Sequence, residues 1–352
     1  MKVRYILFFL LLASPFLTGF GESLTAQTLD IEISGKGGYA EKKLAKGPKR
    51  AYIHRFEAYF QTLAFGAASS RARSFRNTKV GATRTEMLIA LDGVQAADLQ
   101  AATDEAYQAL VADLEAQGYE IIDAATAQAQ SELLSEWTLL EGGKLSSAQL
   151  EGFARATPSG YSYLVPKVKK GGKEKSTFIA KDPKISGQLD DALVVSVSFV
   201  FPFAEIGAAS TFLPGRSKVK AKTDFRLASA VTSTSQERNI LGEQKAGGSA
   251  LTQVTFTSGK GAGAMARAYM LNSLKKDLAL PGVVEVASFK EATAADVTDA
   301  GAYAWYQTIE LDDIDTKATH VISTDSQKYR SAVTEAMRAL TEGSLARLRA
   351  GK

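Results

Sequence analysis

Few residues in this chain are of types that could do chemistry. It holds two His, His54 and His320, and no Cys, which leaves no set of nitrogen and sulfur ligands for a structural zinc site. The two His lie far apart in sequence, each beside a β-rich run, and neither is framed by a nucleophile elbow. No carboxylate pair stands out as a general acid and base. Both His therefore read as structural or surface residues, and the pattern predicts no enzyme activity, no catalytic residue, no cofactor and no metal centre.

Two glycine-rich runs invite a phosphate-binding reading. Gly259-Lys260-Gly261-Ala262-Gly263 precedes a segment with helical spacing, where free backbone N–H groups would favour an anion. No Lys-Ser/Thr pair follows at P-loop spacing, so the run reads as a flexible joint from strand to helix. Ser34–Gly38 fails the same test. The acidic group Glu310, Asp312, Asp313 and Asp315 offers oxygen ligands, yet it lacks the central Gly and closing Glu of an EF-hand loop. A solvated acidic turn is the plain reading, with weak Ca²⁺ binding as the alternative.

Contact chemistry is better represented than catalysis. Phe203, Ile206, Phe212 and Leu213 stand among small residues in the loop Pro202–Ser217. They are either folded back onto a neighbouring element or exposed as a partner or membrane contact, and the Ala64–Arg84 tip is the other candidate for that role. Lys167, Lys169, Lys170, Lys173 and Lys175 crowd a Gly171-Gly172 turn. They suit a solvated, aggregation-resistant hairpin tip or contact with anionic headgroups or polysaccharide. Basic residues are otherwise scattered and not interleaved with aromatics, so no nucleic-acid partner is expected.

The elements that must position these groups centre on Asp190–Ser233. Ala192–Phe201 is a near-continuous β-branched and aromatic run, the pattern of a strand buried on both faces. Lys218–Leu227 alternates charged and apolar residues. Strands are also predicted over Ala51–Phe65, Thr85–Leu91, Tyr119–Asp123, Thr252–Thr257, Val283–Phe289 and Ala302–Ile309. Asp98–Gln117 carries Leu99, Ala102, Ala106, Leu110 and Leu114 at helical steps, with Gly118 just beyond. Further helices are predicted over Ala127–Leu140 and Gly261–Ala279. A C-terminal helix opens at Thr324-x-x-Gln327 and aligns Tyr329, Val333, Met337 and Leu340. The fold class is α/β to α+β: a mixed, mainly antiparallel sheet flanked by helices.

Lys2 and Arg4 precede an apolar run, Ile6–Ala13, and small residues follow. This has the form of a secretory signal, and its core is shorter than the roughly 20 residues of a membrane span. Cleavage is expected after Ala26, with Gly21 as the alternative. Losing Lys2, Arg4 and Glu22 lowers the formal charge of +4 by one. The expected organisation is a signal peptide at 1–26, an extended leader or sheet edge at 27–50 with one short strand at Leu29–Ile33, an α/β part at 51–145, and a β-rich part with a C-terminal helix at 146–352.

The order strand, helix, short strand at Tyr119–Asp123, helix, then the strands Ala192–Phe201 and Lys218–Val231 resembles the curli-secretion channel family of bacterial envelope proteins. The alternating run Val219–Ala230 is similar to a strand of that family. The chain has no Cys, so it departs from the family at the lipid-attachment site, and no functional residue carries across. The resemblance implies an exported, non-catalytic protein of assembly, scaffolding or secretion at the periplasm or outer membrane. Self-association, an envelope protein partner and a membrane-surface contact follow as expected partners. A soluble periplasmic binding module for an apolar or glycan ligand is the alternative, and a hydrolase the second.

Overall fold

The computed structural model describes residues 31–34, 39–70, 73–75, 78–80, 83–175, 181–210, 216–238, 244–262, 265–294 and 318–351. The signal segment, the strand expected at Ala302–Ile309, the acidic group Glu310–Asp315, Phe212 and Leu213 lie outside these residues.

The strand Leu193–Phe201 is buried along its whole length, as its unbroken apolar sequence requires. It lies at the centre of a seven-stranded mixed sheet. On one side it runs parallel to Arg50–Gln61, whose outer edge takes Glu120–Ile122 in parallel and Phe153–Ala156 antiparallel. On the other side it runs antiparallel to Gln253–Lys260. Ala266–Leu274 and Ile31–Ser34 continue the sheet antiparallel from there.

Helices cover both faces. Ala96–Ala116 buries Leu99, Ala102, Ala106, Leu110 and Leu114, and Gly118 takes the positive φ of 82° that ends it. Ser326–Ala350 packs alongside and buries Tyr329, Val333, Met337 and Leu340 against the same face. Its N-cap is Asp325, which accepts from the Lys328 N–H at 2.8 Å, one residue beyond the expected Thr324. The opposite face carries two short helices, Ala124–Gln130 and Asp182–Gln188, around Tyr52, Leu134, Trp137 and Leu164. The result is a helix–sheet–helix layering with mostly antiparallel strands, as expected.

Several elements differ from expectation. Gly261–Ala279 is not a helix: Ala266–Leu274 is a strand that buries alternate residues, Ala268, Met270, Asn272 and Leu274. Ala51–Phe65 is two strands, broken at Thr62. The leader stretch holds the strand Ile31–Ser34, close to the one expected at Leu29–Ile33, but also an unexpected helix, Tyr39–Ala45, whose Leu44 is buried. The two expected parts share one sheet, because Leu193–Phe201 pairs with Arg50–Gln61.

Leu193–Phe201 and the alternating lysine strand are not partners. The latter, Arg216–Thr223, is the middle strand of a separate three-stranded sheet, between Ala204–Ser210 and Ser288–Ala294. That sheet packs on another in which Thr83–Asp92 lies between Leu63–Ser70 and His320–Ser323. Gly66 permits the close approach of the two. A Cβ there would stand 2.1 Å from Cγ2 of Ile206. Thr85 and Ser217 meet across the same interface, hydroxyl to hydroxyl at 2.6 Å.

Candidate functional site

Three hairpins leave the central sheet at one end. Leu63–Ser70 follows directly on Arg50–Gln61, and Ala204–Ser210 directly on Leu193–Phe201; both parent strands run the same way. A third hairpin, Ala230–Arg238 with Gln244–Leu251, feeds into Gln253, which pairs with Ser198 near that same end.

Between these hairpins lies a cleft of about 370 Å³. Gln61, Phe65, Glu151, Phe153, Arg226 and Val231 are among its walls. Its floor is tied down by two buried polar groups. The Gln61 side-chain oxygen accepts from the N–H groups of Phe203 and Ala204 at 2.9 and 3.0 Å, anchoring one hairpin to the neighbouring strand Arg50–Gln61. The Arg226 guanidinium donates to Asp277 at 2.8 Å and to the Asp224 carbonyl at 2.9 Å, and also pairs with Glu205. Asp277 accepts in turn from the N–H and hydroxyl of Ser229, each at 2.8 Å. Burial pushes the Asp277 carboxyl up, but these hydrogen bonds and the Arg226 charge outweigh it and hold the group below the usual carboxylate range.

The fate of the apolar contact residues follows from this geometry. Phe203 is fully buried and belongs to the core, so it is not an exposed contact. Ile206 packs against Gly66 between the two small sheets and lines the cleft. Sequence reasoning missed Arg226 and Asp277, since nothing in their spacing announces that the fold brings residues 226 and 277 together.

His54 occupies a different site, beneath the two short helices. The parallel pairing slips between Val195 and Ser196, whose partners are Ile53 and Arg55, so His54 is the extra residue of a bulge. Its Nδ1 lies 2.8 Å from Oδ1 of Asp182, with both side chains sealed from solvent. Ser196 donates to the other Asp182 oxygen at 3.2 Å, and the imidazole stacks with Tyr52 at 5.9 Å and lies against Trp137. The serine hydroxyl is therefore held by the carboxylate and not by the imidazole. A nucleophile needs the reverse order, hydroxyl to base and base to carboxylate.

A second buried ionic group closes the neighbouring edge. Arg155 grips Glu174 with two nitrogens at 2.5 and 2.6 Å, and Glu57 approaches it at 3.7 Å. Tyr163 donates to Glu174 at 2.9 Å, and desolvation pushes its hydroxyl up to about 12. Glu174 lies in the lysine-rich hairpin, where Gly171 and Gly172 take φ of 82° and 79°. The ion pair thus fastens that hairpin to the main sheet. His320 lies against Phe289, with ring centroids 4.4 Å apart, and near Glu291.

Among the described residues, no cluster of three or more His, Asp or Glu is placed to hold a metal ion, and no helix is long and apolar enough to cross a membrane. Gly259 lies near the end of the strand Gln253–Lys260 and Gly261 in the turn that follows, where its N–H donates to the Met265 carbonyl; neither is at a helix N-terminus. Comparison with protein-family models, with curated proteins and with solved structures returns no match.

Proposed function

We propose that the protein is an exported, non-catalytic envelope component acting in assembly, scaffolding or secretion, and that it engages a second copy or an envelope protein through its hairpin end. The observation that carries this reading is the emergence of three hairpins from one end of a single sheet, around one cleft. A central strand pair sealed by helices is a rigid base, and loops carried on such a base are where binding surfaces concentrate. The buried polar groups at the cleft, Gln61 and Arg226, hold the hairpins in place, which suits a docking platform better than a reaction centre.

The absence of Cys makes a clean test available. A single Thr232→Cys, exposed at the cleft, carries a photo-cross-linker in cells expressing the native precursor. Glu120→Cys, exposed at the opposite end of the sheet, serves as control. The expected result is a discrete adduct from position 232 only, in the exported fraction. Equal labelling of both sites, or a product retained in the cytoplasm, would refute the reading.

A second reading is a soluble binding module, favoured by the cleft itself. It would show a ligand-dependent rise in Tm, with position 232 giving no protein adduct.

A further inference from the structure

The outer face of the sheet containing Arg216–Thr223 has a charge pattern that folding alone does not explain. Ser217, Val219 and Ala221 point into the interface between the two small sheets and are buried. The alternation therefore turns Lys218, Lys220 and Lys222 outward. The neighbouring strand adds Lys290 directly opposite Lys220. Lys220, Lys222 and Lys290 are exposed and Lys218 is half-buried.

Two like charges placed directly across a strand pair are destabilising. The nearby carboxylates are engaged elsewhere, Glu205 with Arg226 and Glu291 with His320. Lys218 registers the crowding: its ammonium is held below the ordinary lysine range, by desolvation first and then by Lys220 and Lys290. Lysine on a sheet is commonly a guard against edge-to-edge aggregation. That explanation does not cover Lys218, Lys220 and Lys222, because Arg216–Thr223 is the middle strand of its sheet; only Lys290 stands on an outer strand.

The chemistry of the face narrows its partner. Its described side chains are lysines, point charges without the fork that reads a shaped anion. Around the lysines are Gly207, Ser288 and Ala292, all exposed, and Glu205 stands opposite Lys222 at one corner, paired with Arg226, so nothing bulky covers the face around Lys218, Lys220 and Lys290. None of these residues is aromatic, and base stacking has no platform. At the Lys222 end stands Val286, 70% exposed, beside Ala287, whose carbonyl accepts from Thr223 at 2.9 Å. A cationic plane with an aliphatic residue at its rim matches a lipid surface.

We propose that Lys218, Lys220, Lys222 and Lys290 form a docking face for an anionic phospholipid membrane, with Val286 at its margin. This surface is separate from the hairpin cleft, and it stands or falls independently of the assembly reading above.

The test is flotation of the full chain with phosphatidylcholine vesicles doped with phosphatidylglycerol, against pure phosphatidylcholine. Binding is expected to the doped vesicles only and to fall as salt is raised. K220Q/K290Q is expected to weaken it by on the order of tenfold, and K218Q/K220Q/K222Q/K290Q to abolish it. The corresponding Lys→Arg quadruple variant should bind like the parent, which separates lost charge from lost fold. Neutralising the hairpin tip with K167Q/K169Q/K170Q/K173Q should leave binding unchanged. Retention by the Gln quadruple variant, dependence on the tip lysines, or equal binding to neutral vesicles would overturn the proposal. So would binding that emerges only when Glu310, Asp312, Asp313 and Asp315 are neutralised, which would assign the lysines to the chain's own acidic run.

Discussion

His54 and Asp182 are 128 positions apart in the chain and 2.8 Å apart in the fold, both out of reach of water. The contact is made by one surplus residue in a strand and by the first residue of a short helix. Asp182 satisfies two donors at once, His54 and Ser196. Asp182→Ala should leave both unpaired, at about 1–3 kcal/mol each. Asp182→Asn keeps an acceptor oxygen and should cost less. Urea unfolding of the two variants checks the order, and equal losses would show that the pair is not what holds the site.

Arg226 and Asp277 give stability that depends on pH. The folded Asp277 carboxyl titrates below the usual range, so the unfolded chain takes up a proton first as pH falls. Its contribution is complete above the unfolded value of about 3.9 and disappears as pH drops through the folded one. Asp277→Asn should therefore be less stable than the parent at neutral pH. The gap should close on acidification, as followed by thermal melts along a pH series.

Gly66 and Ile206 form a steric lock between the two small sheets. Gly66→Ala forces a Cβ onto the Ile206 side chain and should cost about 1–3 kcal/mol, as overpacking does. Ile206→Ala in the same chain should return part of that loss. Additive effects in this double-mutant cycle would mean that the two residues are not in contact.

Arg155 and Glu174 fasten the lysine hairpin. Glu174→Ala leaves a buried guanidinium with the Tyr163 hydroxyl and the more distant Glu57 carboxylate and should cost about 3–5 kcal/mol. Replacing Arg155 and Glu174 together with Met should recover much of it. Hydrogen exchange should quicken around Val168 and Glu174 in the single variant, since the bridge between them loses its anchor.

How much of this was legible in the sequence varied with the range of the interaction. Helix Ala96–Ala116 and the C-terminal helix wrote their buried faces at regular steps, and Leu193–Phe201 announced its double burial by composition. The reading went wrong where periodicity was interrupted or ambiguous. In Arg50–Gln61 the core-facing residues are Ala51 and Ile53, then Phe56, Ala58 and Phe60; the bulge at His54 changes the phase, and no local rule places it. Ala266–Leu274 alternates with Ala and Asn on its inner face, too weakly apolar to reveal a strand. The Asp182-Pro183 pair was a usable sign of a helix start. The convergence of Arg226 with Asp277, and of Lys220 with Lys290, depends on topology, and the sequence carries no local trace of it.

The joints between sheet and hairpins restrict how this chain can vary. Thr62 alone separates Arg50–Gln61 from Leu63–Ser70, and Pro202 with Phe203 separates Leu193–Phe201 from Ala204–Ser210. A strand alternates its faces, so one residue added at either joint would turn every following side chain over. At the second joint, Ile206 would be driven outward and the lysine strand's partner reversed. Insertions should therefore be accepted in pairs or at the distant turns and rejected singly at the joints, an asymmetry that a library of one- and two-residue insertions would display as a parity effect.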